Sequence, residues 1–213
     1  MATRTFTHLY DNYDDAVHTV QALEAAGVPH DDISLVGNNA DNRYDATSAG
    51  TTTASTSGAT DDAESTGAGT GATVGTVLGG GAGLLAGLGA LAIPGVGPIV
   101  AAGWLIATLT GAGIGAAGGG LLGSLTGAGV PEEHAHTYAE GVRRGGTLVT
   151  VRADDSQAGS IEAMLDGRAP AAVDVTTRRA DYQQAGWTGF NESAPALSTT
   201  EIEAERSRRV RIS

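Results

Sequence analysis

An uncharged segment in the middle of the chain constrains the fold more than any other feature. From Ser65 to Pro131 the sequence contains no Asp, Glu, Lys, Arg or His. Its strongest helix breaker is the sequence IPGVGP, in which Pro94 and Pro98 bracket two glycines and form a tight turn. The pieces on either side are long enough for helices. The segment therefore predicts an antiparallel helical hairpin with helices over about 70–93 and 99–126.

Glycine recurs at every fourth position of the first predicted helix, and the second repeats this spacing with Ala107 as its one exception. Folding the chain about the turn places Gly87 opposite Gly103 and Gly75 opposite Gly115. Small residues at this spacing let two helices approach closely in lipid, where glycine's helix penalty of about 1 kcal/mol in water is outweighed by the cost of unmade backbone hydrogen bonds. This pattern predicts a glycine-zipper membrane hairpin whose helix-packing residues are Gly71, Gly75, Gly79, Gly83, Gly87, Gly103, Gly111, Gly115, Gly119 and Gly123.

A second interpretation of the hairpin stays open. Only eight residues of 74–93 are Val, Leu or Ile, and each contributes roughly 0.3 to 0.6 kcal/mol to membrane insertion. A soluble hairpin that buries its leucines by self-association is the alternative, although neither helix shows the polar stripe of a soluble amphipathic helix. Trp104 fits both interpretations, at a membrane interface or filling a gap.

The flanks of the uncharged segment each carry a strand-helix-strand pattern. In the first, strand RTFTHLYDN precedes a helix with apolar residues at helical spacing, and strand Ile33–Val36 follows. In the second, strand Leu148–Val151 and a helix around Ile161 precede strand Val173–Val175. A further helix begins behind Pro131. Two such units combine into a ferredoxin-like plait, so the predicted fold class is α+β, a plait of two βαβ units with the inserted helical hairpin.

Composition excludes several classes of function. The formal net charge of −12 argues against a nucleic-acid partner, which needs a concentrated basic surface. The absence of cysteine excludes disulfides, thiolate nucleophiles and cysteine zinc sites. Met1 leads into a polar stretch without the apolar run of a secretory signal peptide. We therefore expect both termini in the cytoplasm, on a membrane-associated protein or, alternatively, a cytoplasmic one.

Motifs that would carry chemistry are weak. GIGAAG at 113–118 fits a dinucleotide-binding pattern but lies in the glycine ladder instead of after a strand. His134 and His136 are two residues apart on a predicted helix, so they point to different faces and cannot share a metal. No Ser, His and Asp set has a recognisable spacing. We expect no catalytic, cofactor-binding or metal-binding residues, and no enzyme.

The N-terminal stretch TFTHLYDNYDDAVHTVQALEAAGVPHDDISLV resembles the general stress protein 17M-like family of heat-induced stress proteins. The central GALAIPGVGPIVAAGW and the following GAGVPEEHAHTYAEGVRRGGTLVTV are similar to glycine-rich bacterial members. The resemblance covers roughly residues 4–152 and implies a non-enzymatic stress protein without catalytic residues. In the first stretch it is carried by Phe6, Tyr13, Ala16, Val17, Leu23, Gly27, Asp32, Ile33 and Val36.

These observations predict the domain organisation and two functional hypotheses. The first is a stress protein whose cytoplasmic plait is tethered to membrane lipid by the hairpin, as a homo-oligomer. The second is a soluble homo-oligomeric module that binds a partner or a small-molecule ligand, with the hairpin as its core. Aromatic residues of the tail either dock on the plait or contact a ligand. The expected divisions are a first βαβ unit at 1–37, a disordered linker at 38–66, the hairpin at 67–130, a helix and second βαβ unit at 131–180, and a tail at 181–213.

Overall fold

The computed structural model describes residues 3–41, 89–111, 120–168 and 172–210. In these ranges the chain is α+β, with one six-stranded antiparallel sheet and seven α-helices. The strands are β1 (Thr3–Tyr10), β2 (Ile33–Asn38), β3 (Gly89–Ile93), β4 (Gly97–Gly103), β5 (Thr147–Asp154) and β6 (Ala172–Val173). The helices are α1 (Tyr13–Ala25), α2 (Trp104–Gly111), α3 (Gly120–Gly127), α4 (Glu132–Arg143), α5 (Asp155–Arg168), α6 (Val175–Gln184) and α7 (Thr199–Val210).

The first unit follows the predicted order β1, α1, β2. Helix α1 buries Ala16, Val20 and Leu23, which recur at helical spacing. It ends before Gly27, whose φ of 88° is the left-handed conformation typical of a helix C-terminus. Strand β2 ends at Asn38, one residue into the predicted linker. Residues 42–66 of that linker lie outside the described ranges.

The second unit follows the order β5, α5, β6, but its last strand is shorter than predicted. Val175 is the first residue of α6 instead of the end of the strand. The reason is the N-cap: the carboxylate of Asp174 accepts a hydrogen bond from the backbone N–H of Thr177 at 2.7 Å, which favours helix over strand.

Strands from both units lie in the same sheet, whose order is β3-β4-β2-β5-β1-β6. Strand β5 lies between β1 and β2, with Thr7 opposite Thr150 and Ser34 also opposite Thr150. Strand β6 pairs with the other side of β1. More than a hundred residues separate the two units along the chain, a separation that costs little because loop-closure entropy grows slowly with loop length.

The predicted helical hairpin is wrong over residues 89–103, which form the β-hairpin β3–β4 at the edge of the sheet. The turn at Pro94–Val96 lies where IPGVGP predicts it, and the N–H of Val96 donates to the carbonyl of Ile93 at 3.1 Å. Gly97 and Gly103 have φ values of 98° and 89°, which an α-helix does not allow. Ile and Val in this stretch favour strands, a preference that the regular glycine spacing obscured.

Parts of the predicted second helix are helical, as α2 and α3, and these two helices contact each other. Residues 67–88 and 112–119 of the predicted hairpin lie outside the described ranges. Among the helices that the structure describes, none is long and apolar enough to cross a membrane.

Helices cover both faces of the sheet. On one face, α1 and α5 pack on a cluster that includes Leu35, Val149 and Val151. On the other face, α2, α3 and α4 pack on a larger cluster that includes Leu9, Val36 and Leu148. Strand β2 is buried along its whole length, as expected for a central strand covered on both sides.

Arginines attach the C-terminal helices to the end of β1. Arg178 of α6 donates to both carboxylate oxygens of Asp11, at 2.9 and 2.7 Å. Arg209 of α7 donates to Asp11 at 2.9 Å and to the carbonyl of Arg144 at 3.1 Å. The tail aromatics Tyr182 and Phe190 are buried. The tail is therefore packed on the rest of the fold.

Candidate functional site

Trp104 is the first residue of α2 and directly follows the end of β4, at a corner of the sheet. Strand β4 reaches this corner by approaching β2 closely at Gly103, where an added Cβ would overlap the carbonyl oxygen of Ile33. Only glycine fits this approach, because its φ of 89° is also one that other residues rarely adopt. The indole of Trp104 is partly buried against the larger core cluster.

Arg152 of β5 packs on the indole. Its guanidinium carbon is 4.6 Å from the centre of the Trp104 ring, within cation–π distance. Its Nη2 donates to the carbonyl oxygen of Asp31 and to the carboxylate of Asp32, both at 3.1 Å. These contacts fix the guanidinium, while 39 % of the side chain remains exposed. The corner therefore lies at the protein surface.

A row of hydroxyl side chains lies beside Arg152 on the same face of the sheet. Thr150 is two residues before Arg152 on β5, and Thr7 and Ser34 are its neighbours on β1 and β2. Alternation along a strand places Thr150 and Arg152 on one face. The hydroxyl of Ser34 donates to the carbonyl of Ala102 at 2.8 Å. We call Thr7, Thr150, Arg152 and Trp104 the Trp104 corner.

Each member of the Trp104 corner has a buried polar atom without a hydrogen-bond partner. These atoms are Thr7 Oγ1, Thr150 Oγ1, Arg152 Nε and Trp104 Nε1. Buried polar atoms are almost always satisfied in folded proteins, and leaving one unpaired costs about 1 to 3 kcal/mol. The indole and guanidine nitrogens only donate, whereas hydroxyls donate or accept. The corner thus holds two N–H donors and two hydroxyls that have no partner in the protein.

Tyr138 of α4 borders the corner. Its hydroxyl donates to the carbonyl oxygen of Thr7 at 2.8 Å. Burial, with a smaller contribution from the charge of Asp174, raises the pKa of Tyr138 to about 12. The phenol is therefore protonated at neutral pH and acts as a fixed donor to β1.

The structure describes three of the predicted helix-packing glycines, and they lie in three different elements. Gly103 ends β4, Gly111 ends α2 and Gly123 lies within α3. The close approach of Gly103 is to β2, so its predicted role in helix pairing is wrong. The remaining predicted positions, Gly71, Gly75, Gly79, Gly83, Gly87, Gly115 and Gly119, lie outside the described ranges, as does GIGAAG.

Sequence reasoning singled out Trp104 but missed its partners. The signal lay in TLVTVRAD, where Thr150 and Arg152 alternate with Val149, Val151 and Ala153. That alternation places a threonine and an arginine on one face of a strand. Which side chains meet them could not be read from the sequence, because the neighbours come from β1 and the end of β4.

The histidines of α4 bind other groups. His134 lies 3.7 Å from the carboxylate of Glu133, and His136 lies 3.9 Å from that of Glu132. Within the described ranges, no group of three or more His, Cys, Asp or Glu side chains could hold a metal ion.

Comparison with known families supports the sequence resemblance over part of the range predicted for it. Residues 5–91 match the heat induced stress protein YflT domain. The predicted resemblance to the heat-induced stress proteins is confirmed over this part of the chain. The YflT match runs from β1 into β3, so it includes Thr7 but ends before the other three members of the Trp104 corner. No curated protein and no solved structure matches the chain.

Proposed function

We propose that this protein is a non-enzymatic stress protein that binds a small molecule with acceptor oxygens at the Trp104 corner. The observation that carries the proposal is that four neighbouring side chains each have a buried polar atom without a hydrogen-bond partner. Thr7 and Thr150 are cross-strand partners, and Arg152 packs on the Trp104 ring. An acceptor oxygen placed among them would satisfy donors that are otherwise unpaired.

The charges around the corner indicate which acceptor fits. The carboxylate of Asp32 lies 3.1 Å from the Arg152 guanidinium, so the cation is already balanced. A neutral carbonyl or amide group suits such a site better than a multiply charged anion. Neither threonine hydroxyl has a hydrogen-bonded base in the structure, and an unactivated hydroxyl is a poor nucleophile. These features support binding over catalysis.

The fold supports a binding module built on a ferredoxin-like plait. The order β2-β5-β1-β6, antiparallel throughout, has the arrangement of two interleaved βαβ units. Helices α1 and α5 of those units pack on the same face. We infer that β3 and β4 are an addition at the edge of this plait.

Of the two sequence hypotheses we propose the second, a soluble homo-oligomeric module that binds a ligand or partner, but with residues 89–93 and 97–103 as strands and not as part of a helical core. The predicted glycine-zipper hairpin needs helix at residues 89–93 and 99–103, and both stretches lie in strands. Alkaline carbonate washing of membranes and light scattering of the purified protein test location and assembly. Release into the supernatant and a mass above that of one chain are expected, whereas protein retained in the washed membrane would contradict the proposal.

NMR titration tests binding directly. Acetamide supplies a neutral carbonyl and acetate a charged one, and the Nε1–H signal of Trp104 reports hydrogen bonding to either. We expect acetamide to shift this signal in a saturable way and Thr150→Val, which removes one hydroxyl at nearly constant shape, to weaken the effect. Thr147→Val, on the same strand but facing the other side of the sheet, is the matched control. An unresponsive Trp104 signal would refute the proposal.

A further inference from the structure

A segment without helix or strand, residues 187–198, joins α6 to α7 and crosses the β3–β4 turn. We call it the strap. A Cβ built at Gly95 would lie 2.8 Å from Glu192 Cα, and one built at Gly97 would lie 3.0 Å from Ala196 Cβ. The strap therefore rests directly on the turn, in contact that requires glycine at both positions.

Two anchors hold the strap to α4. The Phe190 ring is buried in the larger core cluster, and the Phe190 backbone N–H donates to Nδ1 of His136 at 3.2 Å. Farther along, Nη2 of Arg143 donates to the carbonyl of Pro195 at 3.1 Å. Only the first anchor depends on a group that changes protonation near neutral pH.

Protonation of His136 is incompatible with the first anchor. Nδ1 accepts from Phe190 only in the neutral imidazole, because both nitrogens are donors in the imidazolium. The carboxylate of Glu132, one turn earlier on α4, lies 3.9 Å from Nε2 of His136. Residues 89–103 and 120–127 contain no charged side chain.

We propose that the His136–Phe190 contact is a pH-sensitive latch that holds the strap closed over the β3–β4 turn. Binding of a proton at Nδ1 of His136 breaks its hydrogen bond with Phe190. The new Nδ1–H and the backbone N–H of Phe190 then repel each other, because both are donors. The strap then lifts, Phe190 leaves the core, and the uncharged turn becomes accessible. This device is independent of ligand binding at the Trp104 corner and gives the protein a response to acidification.

Hydrogen exchange of the Phe190 amide tests the latch. Because only the open state can bind a proton at Nδ1, opening takes up one proton and should become about ten- to a hundredfold more favourable between pH 7 and pH 5, at most tenfold per pH unit. After correction for intrinsic exchange, protection of the Phe190 amide should fall by that factor. Protection of the Val149 amide in β5 should stay constant, since the core remains folded.

Two variants separate the latch from other effects of acid. His136→Asn keeps an acceptor close to the Nδ1 position but does not titrate, so protection of the Phe190 amide should become independent of pH. His134→Asn, two residues away on the same helix, should behave like the wild type. Equal protection at both pH values in the wild type, an unchanged pH response in His136→Asn, or a parallel loss at Val149 would each overturn the proposal.

Discussion

Replacing Gly103 with alanine tests whether close backbone approach holds the uncharged segment against β2. Gly103 has a φ of 89°, and an added Cβ would overlap the Ile33 carbonyl oxygen and lie 2.7 Å from Ser34 Cα. The left-handed conformation costs a non-glycine residue about 1 to 2 kcal/mol. Relieving the overlap adds about 1 to 3 kcal/mol, as overpacking does elsewhere. The expected loss in free energy of unfolding is therefore about 2 to 5 kcal/mol.

Urea unfolding followed by circular dichroism measures this loss. With a slope of about 2 kcal/mol per molar urea, the midpoint of Gly103→Ala should fall by about 1 to 2.5 M. Gly127→Ala is the matched control, because no atom lies within 4 Å of its added Cβ and alanine is the better helix former by about 1 kcal/mol. Its midpoint should stay or rise. A wild-type midpoint for Gly103→Ala would refute the reasoning.

Three further predictions concern groups that fasten the fold. Asp11→Asn should lower the free energy of unfolding by about 2 to 4 kcal/mol, as measured by urea midpoints. This is less than the loss expected on breaking a fully buried ion pair, because 22 % of the Asp11 side chain is exposed. Asp174→Ala should cost about 0.5 to 2 kcal/mol through the lost N-cap of α6, and Asp174→Asn less, again by urea midpoints. Folding raises the pKa of Tyr138 to about 12, from about 10 in the unfolded chain. The unfolded state therefore loses the phenol proton first, and the free energy of unfolding should fall between about pH 10 and 12. Tyr138→Phe should flatten that fall.

Local patterns in the flanks were sufficient to predict most of their elements. Helix α1 and strand β2 follow from apolar spacing and from the stop at Gly27, and α4 follows from Pro131 and the glycines behind Arg144. These signals are local, because each depends on neighbours within one or two turns. The short β6 shows the limit, since one carboxylate, that of Asp174, converts the predicted strand end into a helix start.

The uncharged segment was harder to interpret because its regularly spaced glycines are compatible with two different structures, closely packed helices and non-helical backbone. Spacing of four residues is typical of close helix packing, yet a glycine with positive φ is incompatible with a helix. The sequence does not state the φ of Gly103. This φ value follows from the approach of β4 to β2. The paired residues Ser34 and Gly103 are 69 residues apart along the chain. The Trp104 corner depends on the same long-range register, so only Trp104 itself stood out.

Backbone NMR contacts across the β3–β4 hairpin test most directly the central claim that the uncharged segment completes the sheet. The account predicts cross-strand nuclear Overhauser effects between Val36 and Ala101 and between Leu91 and Ile99, which are paired in the sheet. Strong sequential amide contacts of a helix through residues 89–93 and 99–103, without those cross-strand contacts, would contradict it.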